Sequence, residues 1–241
     1  MIVKKIKKLI EENRQYHKEQ LLLLQELDWA NTYHDSIRGK EWLESLSLNI
    51  GRWAGNYAFF YVLNRVLTDC KPKTIIEFGL GESSKFISAY LDNYLTESSH
   101  LVIEQNIVWK ENFTKNFKLS QNTEVKICNV VSKQVHGQET HGYEGINEIV
   151  DNTYDLYLVD GPIGSKRYSR YDIVEFAKAF TSQDNFIIII DDYNRKGEQE
   201  TVSDLLSILK EKNIEVQATA YKGSKSLIVI ATEKYKYLSS L

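Results

Sequence analysis

From Lys73 onward, short β-rich apolar runs alternate with stretches of helical periodicity. This alternation confines the chain to an open parallel sheet with crossover helices on both faces. The runs are Thr74–Phe78, 101–103, 124–127, 155–159 and 186–190, with helices expected near 83–95, 107–117, 168–180 and 198–212. Two further strand-like runs, 215–220 and 226–231, are separated only by Tyr221-Lys-Gly-Ser-Lys225. A parallel crossover needs a dozen or more residues, so these two must form an antiparallel hairpin. The expected α/β fold is a Rossmann-like seven-stranded sheet, parallel with a terminal antiparallel hairpin and helices on both faces.

With 241 residues, of which 42% are hydrophobic, the chain can bury one large core. The expected division is an N-terminal helical extension and lid over 1–70, then the α/β domain over 71–241. Acidic and basic residues are mixed along the chain and the net charge is -3. That balance gives no basic surface for nucleic acid. Cys70 and Cys128 have neither disulfide-framework nor metal-ligand spacing, which points to a reducing, cytoplasmic setting. No apolar run approaches the roughly 20 residues that span a bilayer, so no membrane is expected as a partner.

Residues 2–27 read as one charged amphipathic helix, with Ile2, Ile6, Leu9 and Ile10 at helical spacing and an apolar patch at Leu21 to Leu24. It either docks on its own domain or pairs with another chain, a homodimer being one such pairing. Residues 29–55 read as irregular, followed by an apolar helix over 57–67. Arg52 and Trp53 lie in a Gly-containing loop, where they suit either a substrate wall or simple packing.

The first strand ends in Glu77-Phe-Gly79-Leu-Gly81-Glu-Ser83-Ser84. Ligands of open α/β sheets bind at such carboxyl ends. Gly79 and Gly81 permit a tight turn and a close ligand approach, and Ser83 can cap the next helix. The second strand places Glu104 at its tip, where a carboxylate can accept from both hydroxyls of a ribose. This Glu-x-Gly-x-Gly pattern resembles motif I of the class I S-adenosylmethionine-dependent methyltransferases. The resemblance implies a methyltransferase sheet, S-adenosyl-L-methionine as cofactor, Glu77 near its methionine end, and Asn129 with Val130 near its adenine. A dinucleotide site wants a third glycine, and Ser84 stands in its place.

Asp160, Asp191 and Asp192 end the fourth and fifth strands and converge on the same edge. Carboxylates held together call for a proton or a cation, so a divalent metal such as Mg is a reasonable guest. The arrangement is similar to catechol O-methyltransferase and its relatives, although Asp192 stands where that family usually has an amide. The Val159-Asp-Gly-Pro162 and Asp191-Asp-Tyr-Asn-Arg195 segments resemble plant glucuronoxylan methyltransferases, and more loosely the methyltransferase-like proteins of bacterial polysaccharide clusters. These likenesses imply O-methylation of a sugar or other small hydroxylated acceptor, as in polysaccharide modification. Asp160 is the first candidate for general base or metal ligand. Lys166, Arg167 and Arg170 could stabilise an alkoxide or hold an acidic sugar, or form a solvated basic loop. His136 and His141, in a segment expected to be a mobile flap, are further candidates for base or ligand, or plain surface residues. The alternative readings are a nucleotide-sugar or dinucleotide-binding enzyme, and a catalytically inactive methyltransferase-like scaffold.

Overall fold

A computed structural model of the chain describes residues 2–150 and 153–241. The chain opens with α1 (Ile2–Ile37), α2 (Glu41–Glu44) and α3 (Tyr57–Arg65), the last continuing into a π-helical turn at Val66–Cys70. The alternating part follows as β1 (Thr74–Phe78), α4 (Glu82–Asn93), β2 (Ser99–Glu104), α5 (Ile107–Asn116) and β3 (Thr123–Ile127). Next come β4 (Val130–Val135), β5 (Gln138–Tyr143), α6 (Asn147–Val150), β6 (Leu156–Val159) and α7 (Asp172–Ala179). The chain ends with β7 (Ile187–Ile190), α8 (Lys196–Glu211), β8 (Val216–Lys222), β9 (Ser226–Thr232) and a 3-10 segment, Glu233–Ser239.

The main sheet has seven strands in the order β3-β2-β1-β6-β7-β9-β8. β3, β2, β1, β6 and β7 are parallel, whereas β9 runs antiparallel to both β7 and β8. The expected parallel sheet with a terminal hairpin is therefore the one observed. Strand order reverses between β1 and β6, which puts the ligand crevice of such a sheet at the ends of those two strands.

Side chains of β1, β6 and β7 alternate between two cores. Ile75, Leu156, Leu158, Ile187 and Ile189 face α1, α3 and α4, in one cluster with Tyr33, Phe60, Leu63 and Phe86. Ile76, Phe78, Tyr157, Val159, Ile188 and Ile190 face the other way, against Val174, Phe176, Val202 and Leu205 of α7 and α8. Burial on both faces explains why β7 is an unbroken Ile-Ile-Ile-Ile run rather than an alternating one.

Two elements depart from expectation. The first helix runs on to Ile37 through a stretch expected to be irregular. There Trp29, Tyr33 and Ile37 recur every four residues, and the last two are buried against the core. Trp29 packs on Tyr61 and Tyr221 and donates its indole N–H to the Lys222 carbonyl at 2.8 Å. Secondly, the segment expected to be a flap is a regular two-stranded hairpin, β4 with β5. Its turn is His136-Gly137, both with positive φ (49° and 72°), as a two-residue hairpin connection requires. Asp172 fixes the hairpin at two points: Lys133 Nζ, midway along β4, lies 2.6 Å from Oδ1, and the N–H of Tyr143, at the base of β5, donates to Oδ2 at 2.8 Å.

Candidate functional site

The turn after β1 is built from below. Gly79 has φ of 101°, a region side chains avoid, and its N–H donates to the Ile103 carbonyl at 2.8 Å. Gly81 is the N-cap of α4, and its N–H donates to Ser84 Oγ at 3.0 Å. Capping therefore falls to Ser84, not to Ser83 as the sequence suggested. The hydroxyls of Ser83 and Ser84 both donate to the carboxylate of Glu77, the second at 2.6 Å. Glu77 is fully buried, with His100 Nε2 at 3.1 Å. Two serine hydroxyls and full burial tie Glu77 to the turn, so it supports the glycines from below and is not among the residues lining the crevice.

Glu104 is the residue that faces the crevice. Its carboxylate accepts the Leu80 N–H at 2.9 Å on one oxygen and those of Gln105 and Asn106 at 2.8 and 2.7 Å on the other. A carboxylate offers about four acceptor sites, so one remains open toward the cavity. The cavity, of about 330 Å³, is lined by Gly79, Glu104, Asp160, Arg170, Asp192 and Lys225 among others, with Arg52 and Trp53 at its mouth. Trp53 is 96% exposed there. A Cβ on Gly81 would meet nothing within 4 Å, whereas one on Gly161 would run into Tyr143 Oη and approach Gly79 N to 3.0 Å. The strand ends are thus packed tightly against each other, with free space in front of Gly81.

Beyond the turn, Asp160, Asp191 and Asp192 bring carboxylate oxygens within 4.8 Å of one another. Arg170, buried and with φ of 58°, stands among them. Its Nη2 lies 2.9 Å from both Asp160 Oδ1 and Asp192 Oδ2, and its Nη1 donates to the Asp191 carbonyl at 3.0 Å. Arg195 Nη1 is 2.9 Å from Asp192, and Lys225 Nζ lies 3.6 and 3.8 Å from Asp192 and Asp191. Both Asp191 side-chain oxygens are buried without a hydrogen-bond donor. Desolvation and the Asp192 charge beside it hold the Asp191 carboxyl above its ordinary range, against the pull of Lys225 and Arg170. Asp160 is pushed up to about 7, first by desolvation, against the pull of Arg170 and with the push of Asp191 and Asp192.

The other residues singled out from sequence lie elsewhere. Lys166 is exposed and lines no part of the cavity. Arg167 is held by Glu200, with Nε 2.7 Å from Oε1. His136 Nε2 lies 2.8 Å from Asp204 Oδ2 on α8, and His141 makes its contacts with Ser165 Oγ at 3.0 Å. Asn129 is exposed and donates to Glu144 Oε2 at 3.1 Å.

No family model matches the chain, and no curated protein matches it. Among solved structures, the chain is similar to the O-methyltransferase TomG from Streptomyces achromogenes, solved with SAM, at 10% identity over 83% of this chain and 89% of that one, TM-score 0.49. It is also similar to an O-methyltransferase from Bacillus cereus solved with SAH, at 12% identity over 84% and 91%, TM-score 0.47. A Podospora anserina methyltransferase, also SAH-bound, matches at 12% identity over 85% and 87%, TM-score 0.44. What decides the fold is the strand order, with its inserted antiparallel β9. The fold is that of a class I methyltransferase.

In this methyltransferase-type sheet, Lys225 was the site residue that the sequence reading overlooked. Its signal was topological: β9 runs antiparallel beside β7, with Ile190 paired to Ile228. The turn before β9 must therefore return to the carboxyl edge where Asp191 and Asp192 sit. Arg195, the N-cap of α8, and the buried Glu198 on its first turn join the cluster because α8 begins just past the carboxyl end of β7.

Proposed function

We propose that the protein is an S-adenosylmethionine-dependent O-methyltransferase acting on a hydroxyl of a sugar or other small hydroxylated acceptor. The observation that carries this reading is the crevice at the strand-order reversal. It has open space before Gly81, a free acceptor site on Glu104, and Asp160 across from them at the end of β6. The donor set fits the cofactor: Glu104 would take the ribose hydroxyls, and the Gly79–Gly81 turn would admit the methionine portion. When bound, S-adenosylmethionine supplies a methyl group on a sulfonium centre.

Asp160 is the base in this scheme. Displaced toward neutrality, its carboxyl can take the proton of an acceptor hydroxyl as the oxygen becomes nucleophilic. Arg170 fixes that carboxylate in place and, with Lys225, favours negative charge developing near it. Arg52 and Trp53 wall the mouth, where the flat indole face suits a sugar ring. The sugar acceptor is supported further by the resemblance of the Val159-Asp-Gly-Pro162 and Asp191-Asp-Tyr-Asn-Arg195 segments to glucuronoxylan methyltransferases. Two free cysteines suit a cytoplasmic setting.

In a second reading, with Asp160 as ligand rather than base, Asp160, Asp191 and Asp192 would hold a divalent cation such as magnesium; the unpaired oxygens of Asp191 are the observation that fits it, while Arg170, Arg195 and Lys225 already stand against the three acids. Such an ion would lower the pKa of a bound hydroxyl.

The test is calorimetric titration with S-adenosylmethionine and S-adenosylhomocysteine, on the native protein and on Gly81→Val and Glu104→Gln. Native binding is expected, with a loss of at least tenfold in each variant at unchanged melting temperature. A Cβ added at Gly81 meets no protein atom within 4 Å, so a side chain there starts out into ligand space rather than into the protein. Absence of binding to the native protein would overturn the proposal.

A further inference from the structure

Residues 4–21 of α1 are exposed without exception, an arm about 27 Å long at 1.5 Å per residue. The contacts that fasten the helix to the body begin at Glu26 and Trp29. The ion pair and side-chain hydrogen bond found along the arm, Lys8 with Glu12 and Gln15 with Glu19, are internal to it. A helix of this length without tertiary packing is marginal in water, and this one carries Leu9, Tyr16, Leu23 and Leu24 each more than 60% exposed.

The arm has a seam. Ile6, Leu9, Asn13, Tyr16, Gln20, Leu23, Leu27 and Ala30 follow one another at alternating steps of three and four, which is a heptad spacing, and Ile10 and Leu24 widen the apolar stripe. Charge is divided along the same helix. Residues 4–15 hold five cations (four Lys and Arg14) against two acids, and residues 16–28 hold one cation against three acids.

We infer that the occupant of this seam is the same arm of a second copy, laid antiparallel about a two-fold axis near residue 18. An isologous pairing needs a self-complementary surface. About that axis Ile6 meets Ala30, Leu9 meets Leu27, Asn13 meets Leu23 and Tyr16 meets Gln20, so the whole seam pairs without a frame shift. The basic end of each arm falls against the acidic end of the other, where parallel pairing would set Lys4, Lys5, Lys7 and Lys8 beside their own copies. Each tip also arrives at the base of the other arm. There a cavity of about 770 Å³ opens, lined by Tyr33, Ile37 and Leu43 together with Asp35 and Glu44, a surface suited to a lysine-rich apolar tip.

Light scattering on the full chain tests the assembly. A mass twice the 28.0 kDa of one chain is expected at micromolar concentration, and Leu9→Glu/Leu27→Glu should be monomeric, losing at most the arm's share of the helical circular dichroism while the body melts as in the native protein. Orientation is read by disulfide trapping in a Cys70→Ser background. Leu9→Cys mixed with Leu27→Cys should give the mixed disulfide, because the paired positions come within the roughly 4.4–6.8 Å that a disulfide spans, and Leu9→Cys alone should give none. A monomeric native protein overturns the pairing. Self-linking of Leu9→Cys overturns its antiparallel sense.

Discussion

Asp160 carries two opposing requirements, exposure to an acceptor and burial beside other acids. Its folded pKa, about 7, lies above the ordinary aspartate value of 3.8. Between those values the folded state holds the proton more tightly than the unfolded chain, so stability falls as pH rises through that window and the loss is complete above about 7. Asp160→Asn, which mimics the neutral acid, is expected to match the native melting temperature only near pH 4, at the foot of that window, and to exceed it increasingly as pH rises to 8. The same variant should lose about 10²–10⁴-fold in kcat and keep its affinity for S-adenosylmethionine. Native kcat/KM should decline below about pH 7, and both added magnesium and a chelator should move that limb if the three aspartates hold an ion. Equal rates in native protein and Asp160→Asn would remove Asp160 from the chemistry.

Among the elements, the β4–β5 hairpin is tied to α7 through one buried acid, Asp172. Burial raises the carboxyl of Asp172, and Lys133 and the Tyr143 N–H act against that shift. Lys133→Met leaves a buried acid without its cation. We expect a loss of about 2 kcal/mol at pH 8, below the roughly 3–5 kcal/mol of a fully buried pair because Lys133 keeps 30% of its side chain exposed. The loss should shrink as pH falls and the raised Asp172 carboxyl takes up a proton; thermal melts at pH 8 and pH 5 decide it. The hairpin also shows where sequence reading stops. β1 and β7 were legible because both their faces are apolar. By contrast, β4 and β5, Val-Val-Ser-Lys-Gln-Val and Gln-Glu-Thr-His-Gly-Tyr, hold few apolar residues and owe their pairing to the His136-Gly137 turn and to Asp172 on a distant helix. The acids of the candidate site were legible as strand ends. Their cations were harder to find, since Lys225 reaches the cluster only through the pairing of β9 with β7.

At the scale of the molecule, the first helix and the last hairpin are joined. Glu26 accepts from Asn56 Nδ2 at 2.8 Å, the Tyr57 N–H at 2.8 Å and the Ser224 N–H at 2.7 Å, while Trp29 lies over Tyr61 and Tyr221. Trp29→Ala should cost about 2–3 kcal/mol, somewhat below a fully buried tryptophan, and release α1 from the sheet. Faster amide exchange is expected in residues 26–37 and 221–225 together; exchange confined to α1 would disprove their coupling. The insertion of β9 between β7 and β8 has a consequence for the chain as it is made. On the ribosome Ile187–Ile190 emerges long before 226–232 can lie alongside it, and in that interval its four isoleucines form an unclosed sheet edge. The nascent protein therefore passes through a period of adhesiveness that ends only when its last hairpin leaves the exit tunnel. Over that interval a holding chaperone would find Ile187–Ile190 within reach.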